Sequence, residues 1–519
     1  MAMERSWQRA TASLVSRYRP AVVLAAGAPL PAAQAAAAAD GAARATGRPA
    51  VLVAGSGAEL NAMLPVLVMA DADSVPIVVL VRGGTAADLE AGRERAGSLP
   101  DALRLTEPFT GWNTRVDRPE DVELVLEAAF TDLARRRPRP LLIELADEAL
   151  PAVPGRATAN GRVIPFPGST VDAGRSEEAA IDRRWLDQVA AALVRCRQPA
   201  IVAGGGAAGA GESLRRLAED LGAPVFLTLA GRGLLPADHP LAINGLAAAP
   251  ARRWLEEADV VLVVGTTLSP AEHGDLDLKG RVIQVDRDVE RLGRNVPVWM
   301  ALPADAAPAL AALVRRVEAE MARPAGPEVY LGATGPEQRR KAVARLQEEL
   351  AEERAGAEAM DGPAAEGHRW LSALEPRLTA AEPEALSVAE AAALPVAGAR
   401  SLLLPVRLGI AGYAIPAAWG AARATGRPAR AVTTPAGLWG AGAVLPWIAP
   451  LGLDLEILVR LDRDGASAGP GNGALGAAPA ADVAEFFRRA APALRLQWDE
   501  PGWGGGVPAA RLRPVAVPR

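Results

Sequence analysis

One cysteine, three histidines and an aromatic content of 4 % are what this 519-residue chain has little of. The lone Cys196 excludes an intramolecular disulfide framework and fits a reducing compartment. It stands between Arg195 and Arg197, yet the expectation is a buried or bystander thiol rather than an activated one. His239, His273 and His368 lie far apart and show no metal-ligand spacing, so no metal site is expected from them. Neither sign of charge dominates: the formal net charge of −5 argues against a nucleic-acid surface. The densest basic run, Arg135 to Arg139, is read as a solvated helix end. Long apolar runs are scarce too. Ala21 to Ala39 comes nearest, but Pro29 and Pro31 interrupt it and most of it is alanine, so a soluble helix is expected in place of a membrane span. Met1 to Pro20 carries four arginines and no apolar centre; no signal peptide is expected, and the location is expected to be cytoplasmic.

What the chain does contain is an exact ten-residue repeat. Gly41-Ala-Ala-Arg-Ala-Thr-Gly-Arg-Pro-Ala50 recurs as Gly420-Ala-Ala-Arg-Ala-Thr-Gly-Arg-Pro-Ala429. Each copy follows an alanine-rich helical stretch and precedes a short apolar run, Val51 to Ala54 or Ala431 to Thr434. Gly47 and Gly426 are placed to end the helices in a left-handed cap. Two related α/β domains at the ends of the chain follow from this. Between them, Pro199 to Gly206, Val260 to Gly265 and Arg281 to Asp286 read as buried strands, with helices over Ser213–Leu221 and Ala251–Glu257. Continuous apolar strands mean a sheet covered on both faces, the parallel doubly wound arrangement. The fold class is therefore α/β with three doubly wound parallel-sheet domains. Composition sets the boundaries: a first domain over 1–150, a linker over 151–178 and a central Rossmann-like domain over 179–323. A linker with a charged helix follows over 324–367, then a last domain over 368–500 and an irregular tail over 501–519.

Several motifs carry a family resemblance. Ala39-Asp-Gly-Ala-Ala-Arg-Ala-Thr-Gly47 is similar to the A-D-G-Y-A-R-A-T-G of acetolactate-synthase-like thiamine diphosphate (ThDP) enzymes. Ser56-Gly57, Ser74-Val75-Pro76, Thr106 to Asn113, Arg118 to Asp121 and Pro140 to Glu144 extend the likeness through their N-terminal pyrimidine-binding domain. Gly204 to Gly206, Asp259 to Gly265 and Val285-Asp286 resemble the central domain, and Leu408 to Gly420 resembles the entry to the diphosphate-binding domain, G-x-M-G-Y-x-L-P-A-A-x-G-A. The resemblance implies three domains of pyrimidine, central and diphosphate type, ThDP and Mg²⁺ as cofactors, and FAD or another nucleotide as a possible guest of the central domain. It also implies a homodimer or homotetramer.

ThDP chemistry has physical requirements that the resemblance places on this chain. A carboxylate must hydrogen-bond the pyrimidine ring so that its amino group can act as a base. A bulky side chain must hold the cofactor bent. An Asp and an Asn must hold the Mg²⁺ that neutralises the diphosphate. The family's alignment puts Ala32 at the carboxylate position, Ala411 at the bulky one and Ala436 at the metal aspartate; Asp462-Arg463 falls on the Asn pair. No acidic residue lies between Glu4 and Asp40 to substitute for the first, and an arginine cannot ligate a metal. The expectation is a divergent member that does not hold ThDP–Mg in the usual way, with no other metal.

Polar groups that could serve a small-molecule ligand instead are Glu59 as a base, and Asp462 with Arg463, whose guanidinium could take a carboxylate or phosphate. Ser56, Asn61, Trp112, Asn113, Gly409, Tyr413 and Trp439 are the further pocket candidates. For each there is a plain alternative. Ser56 can be a helix N-cap, Glu59 a first-turn acid and Trp439 a packing residue. Gly465-Ala-Ser-Ala-Gly469 spells a nucleophile-elbow pattern, but Pro470 follows and no histidine lies beyond His368. Three functions stay open: a ThDP-independent reaction on a small 2-oxo or acyl compound, a non-catalytic partner or scaffold subunit that could join an intact ThDP enzyme in a hetero-oligomer, and an altered ThDP-dependent carboligase or decarboxylase.

Overall fold

The computed structural model describes residues 15–149, 181–323, 334–359 and 371–460, apart from short stretches within them, together with strands at 495–496, 509–512 and 514–515. The chain divides into two compact units. The first comprises 1–168, 377–386 and 403–519; the second comprises 169–376 and 387–402.

In the first unit, β1 (Val23–Ala25), β2 (Ala50–Ala54), β3 (Ile77–Arg82), β4 (Asn113–Val116) and β5 (Pro140–Leu145) form a parallel sheet ordered β1-β2-β3-β5-β4. β2 is buried along its whole length, as its unbroken Ala-Val-Leu-Val-Ala run requires. Its helices include α1 (Ala32–Thr46), α2 (Gly57–Ala72), α3 (Ala102–Thr106) and α4 (Pro119–Arg135). The expected helix over Ala21 to Ala39 is two elements: Val23–Ala25 pairs with β2, and α1 begins only at Ala32, after Pro31. Proline cannot continue a helix inward but suits its start, so the boundary falls there.

The second unit holds a six-stranded parallel sheet. Its strands are β6 (Pro199–Ala203), β7 (Val225–Leu227), β8 (Ala242–Asn244), β9 (Val260–Val264), β10 (Arg281–Asp286) and β11 (Met300–Pro303), ordered β11-β10-β9-β6-β7-β8. Helices α5 (Arg183–Arg195), α6 (Gly211–Leu221), α7 (Ala249–Glu257), α8 (Ala306–Met321) and α9 (Pro336–Ala359) accompany it. Apolar clusters on both faces identify it as doubly wound.

The third sheet belongs to the first unit. β12 (Leu378–Ala381), β13 (Leu402–Leu403), β14 (Ala429–Thr433) and β15 (Leu455–Arg460) are joined by β17 (Ala509–Leu512) in the order β13-β12-β14-β15-β17. Helices α10 (Ala414–Thr425) and α11 (Pro435–Ala441) belong with it. Two expectations change here. β17 runs antiparallel to β15, so this sheet is mixed and not purely parallel. The tail over 501–519 is also not wholly irregular, since β17 lies in it and β18 (Pro514–Val515) pairs with β16 (Arg495–Leu496). Ala509-Ala-Arg-Leu512 has no alternation to mark it as a strand, and Gly and Pro surround it.

The repeat explains why the first and third sheets share one core. α1 and α10 pack on one another, and the residues of both contribute to a single apolar cluster. The contact is the same viewed from either copy. A Cβ on Gly41 would fall on the carbonyl of Ala417, and a Cβ on Gly420 would fall on the carbonyl of Ala38. Ala38 and Ala417 each stand three positions before the glycine of their own copy. The two helix ends are duplicates as well: Gly47 and Gly426 both have φ +69°, and their amides donate to Ala43 and Ala422 at 2.7 and 2.8 Å.

Candidate functional site

The loops at the carboxyl ends of β12 and β14 meet the starts of α10 and α11, the usual place for a ligand in an open α/β sheet. Glu382, the first residue after β12, is fully buried there. Its carboxylate accepts the amides of Gly412 (3.0 Å) and Ala414 (3.2 Å) and the hydroxyl of Thr433 (3.1 Å). The loop before α10 and the end of β14 are thereby tied to one acid. Gly437 passes so close to the Glu382 carboxylate and the Thr433 hydroxyl that no side chain fits at 437. Gly412 has φ +84°, a conformation glycine adopts without strain. Glu382 went unnoticed in the sequence; an acid directly after the short run Leu378 to Ala381 was the available signal.

Ala411 and Ala436 are exposed at this mouth, as are Gly409, Leu408 (42 %) and Trp439 (45 %). Trp439 is therefore not a core residue. Ala32 lies in the first turn of α1 and is buried. Asp462 and Arg463 lie outside the described residues, as does Gly465 to Gly469.

Behind the mouth sits a buried polar network. The Tyr413 hydroxyl donates to Asp40 Oδ1 at 2.7 Å, and Arg44 Nε donates to the same oxygen at 2.6 Å. Arg44 also pairs with Asp73 at 3.1 Å. Burial disfavours the charge on Arg44, but Asp40, Tyr413 and Asp73 more than offset this and hold the guanidinium protonated. Burial raises the Tyr413 phenol well above its ordinary value, and the neighbouring Asp40 raises it further. A second buried pair, Arg430 with Glu456 (2.7 Å), joins directly opposed residues of β14 and β15. The signal for it was a charge at the second position of each of two mainly apolar strands.

The remaining candidates are dispersed. Ser56 caps α2 and accepts the Glu59 amide at 3.3 Å, while the Glu59 carboxylate accepts the Gly55 amide at 2.6 Å. This is a capping-box arrangement, which gives the carboxylate proposed as a base a structural task. Asn113 donates to Leu103 O and to Thr106 Oγ1 (3.2 Å), bracing α3. Trp112 packs against the core on one face of the first sheet, and Asn61 is exposed on α2. Tyr413 alone of the pocket candidates is both buried and engaged near the mouth.

In the second unit, the glycines that follow β6 and β9 pack loop against loop. The Gly206 amide donates to Gly265 O at 3.0 Å, and a Cβ on Gly204 would meet that carbonyl at 2.6 Å. Cys196 is buried, and burial pushes its thiol up to about 12 despite Arg339 nearby. His239 accepts the Leu241 amide through Nδ1 (3.2 Å), leaving Nε2 to face Glu219 (3.2 Å). Among the described residues no group of three or more His, Cys, Asp or Glu is arranged to hold a metal, and no helix is long and apolar enough to cross a membrane.

Comparison with known proteins agrees with this architecture. Residues 32–103 match the thiamine pyrophosphate enzyme N-terminal TPP binding domain, and residues 186–313 match the thiamine pyrophosphate enzyme central domain. A probable 2-ketoarginine decarboxylase of Pseudomonas aeruginosa is 32 % identical over 395 residues, 74 % of this chain and 65 % of the relative. A probable acetolactate synthase large subunit of Methanocaldococcus jannaschii is 30 % identical over 281 residues, 52 % of this chain and 46 % of the relative. The chain thus spans about half to just under two thirds of the length of these relatives. Among solved structures, a putative thiamin diphosphate-dependent enzyme from Mycobacterium smegmatis superposes with a TM-score of 0.67 at 21 % identity, covering 92 % of each chain. A thiamine diphosphate-dependent 4-hydroxybenzoylformate decarboxylase of Rhodococcus jostii gives 0.68 at 19 %, covering 93 % of this chain and 92 % of that one; at such identities both bear on the fold alone. Two domain patterns matched in chain order, together with these relatives, support placing the chain in the thiamine diphosphate enzyme family.

Proposed function

We propose that this chain serves as a non-catalytic structural subunit of the ThDP-enzyme type, assembling as a homodimer or homotetramer or with an intact ThDP enzyme. One contrast supports the reading. The contacts that build the scaffold are in place, namely the glycine crossings of α1 and α10 and the Glu382 anchor, while the described positions that the family resemblance assigns to cofactor anchors are all alanine. Ala436 offers no side-chain oxygen to a cation, and Ala32 no side-chain acceptor to a pyrimidine. The nearest acid along α1, Asp40, already holds Tyr413 and Arg44. The residues present do not fit ThDP–Mg, so no chemical step is assigned through it.

Melting the purified chain with millimolar ThDP and Mg²⁺ tests this. A cofactor at about 100 times its Kd would add about 2.7 kcal/mol of stability, a rise of several degrees. No shift is expected, together with co-purification of a second chain or a self-assembled oligomer. A ThDP- and Mg²⁺-dependent rise overturns the proposal in favour of an altered ThDP-dependent decarboxylase or carboligase, the activity named for the relatives.

A second reading is favoured by the likeness to a probable 2-ketoarginine decarboxylase, whose named substrate is a 2-oxo acid. In it, the exposed apolar mouth at Leu408 and Trp439 admits a small 2-oxo or acyl compound, and Arg463 holds its carboxylate for a ThDP-independent reaction. Turnover by the cofactor-free chain, abolished by Arg463→Ala without loss of folding, distinguishes this reading from the first. Glu59, engaged in its helix cap, is not the base in it.

A further inference from the structure

Helix α9 is fastened to the second unit unlike its neighbours. Of its described residues, Arg339, Val343 and Leu346 are buried and Leu350 is partly covered, a single stripe at helical spacing. Its apolar hold is thin: α8 buries Leu310, Leu313, Val314 and Val317 over a shorter length. α9 packs chiefly on α6 and α7. It joins the apolar clusters of both sheet faces, with Val343 in the one that contains Cys196 and Leu346 in the other. Gln347 Nε2 donates to Ala242 O at 2.9 Å, so the helix meets the sheet at its edge strand, β8. Beyond that point residues 351–356 are exposed. Glu349 pairs with Arg253, but both side chains are half exposed, and such pairs contribute little.

The first position of the stripe is a buried cation to which, among the described residues, no carboxylate bonds. Arg339 Nη1 donates to Leu193 O (3.3 Å) and Leu221 O (3.0 Å), and Nη2 donates to Val194 O (2.9 Å) and Cys196 O. These carbonyls close α5 and α6, the negative ends of two helix dipoles, and they take the place of an acid. Gly222, at φ +63°, ends α6 and admits Pro336 at the start of α9; a Cβ there would fall 2.3 Å from Pro336 O. We infer that α9 is a strap that leaves the second unit as one piece while the sheet and the other helices stay folded, with Arg339 as its latch. Elements that bury few apolar side chains open locally at the smallest cost. Opening strands no polar group, since the guanidinium and its acceptor carbonyls pass into water together. Closing without Arg339 would leave those carbonyls buried and unpaired, so the guanidinium is what favours the closed state. Cys196 Sγ, 3.8 Å from Arg339 Nη2, is uncovered when the strap leaves.

Labelling of Cys196 in the folded full-length chain tests this, with an aromatic disulfide reagent at pH 8 and urea kept below the unfolding transition. In wild type the rate is expected to exceed what unfolding of the whole unit allows. It is also expected to rise less steeply with urea than unfolding does, because a departing strap exposes little surface. Arg339→Met is expected to speed labelling about 10- to 100-fold in the absence of urea. Leu346→Ala is expected to speed it about 10-fold or more. Leu346 belongs to the other apolar cluster and cannot uncover the thiol directly, so this variant carries the test where Arg339→Met fails to fold. Hydrogen exchange followed by mass spectrometry is expected to show the amides of 340–356 exchanging through the same opening. Labelling with the urea dependence of whole-unit unfolding overturns the inference. Acceleration by Arg339→Met but not by Leu346→Ala overturns it too, and makes the guanidinium a simple cover of the thiol. Exchange of α9 from its far end while Cys196 stays protected is the third refuting result.

Discussion

Replacing Gly420 by alanine sets two well-measured effects against each other. Alanine is the better helix former by about 1 kcal/mol, so an unhindered glycine in the middle of α10 would gain stability from the change. Gly420 is not unhindered. The added methyl group falls on the carbonyl of Ala38 in α1, which is backbone and cannot rotate away. Whole helices must separate, opening a seam in which nearly every residue of α1 is buried. Overpacking of this kind costs about 1–3 kcal/mol and more where backbone must move. The net expectation is a loss of about 1–3 kcal/mol, or roughly 2–5 °C in melting temperature for a unit of this size. Gly41→Ala meets the carbonyl of Ala417 in the same way and should cost a similar amount. The double variant should cost less than the sum, because separation caused by one methyl group relieves the other. Gly356→Ala is the control: it lies in the exposed helix α9 with nothing within 4 Å of its missing Cβ, so it should stabilise by about 0.5–1 kcal/mol. Urea unfolding of the four variants, followed by circular dichroism, gives the comparison. Stabilisation by Gly420→Ala of the size seen for Gly356→Ala would refute the close crossing and the pseudo-twofold core derived from it.

Truncating either member of the buried Arg430–Glu456 pair should cost about 3–5 kcal/mol, whereas Arg430→Met with Glu456→Leu should recover most of the loss, read by urea unfolding. Because Tyr413 ionises above its ordinary value of 10.0 when folded, the unfolded chain releases that proton first. Stability is then fully present below pH 10 and falls as pH rises beyond it, and Tyr413→Phe should flatten the alkaline limb of a pH–stability profile. Cys196, with its thiol pushed up to about 12, should react with an aromatic disulfide reagent at pH 8 only at the rate of opening, and at once in guanidinium chloride.

Legibility in the sequence divides along a physical line. The three sheets and the helix ends could be read because their determinants are local: apolar runs such as Val260 to Val264, and Gly47 or Gly426 after a helical pattern. The mixed third sheet could not, since β17 is a short strand in a glycine- and proline-rich tail and its pairing with β15 is long-range. At the candidate site the same holds. Glu59 and Ser56 are neighbours in sequence, and their capping role could be read there as the plain alternative. Glu382, Thr433 and Gly412 converge only in the fold, and Asp40 meets Tyr413 from the other end of the chain. No periodicity marks such meetings.

The enclosed scaffold positions and the exposed positions at the mouth differ in what a substitution would cost. Gly41, Gly420, Gly437 and Glu382 are enclosed by backbone or by one another, so a change at any of them disturbs packing or leaves buried polar groups without partners. Ala411 and Ala436 are exposed at the mouth, and surface positions away from such contacts vary within about 0.5 kcal/mol. Substitution at either of these two positions is therefore expected to leave folding nearly unchanged, while the seam between the two repeat copies is under packing constraint. Packing thus constrains the enclosed glycines and Glu382, and leaves the side chains at the exposed mouth to be set by what they contact.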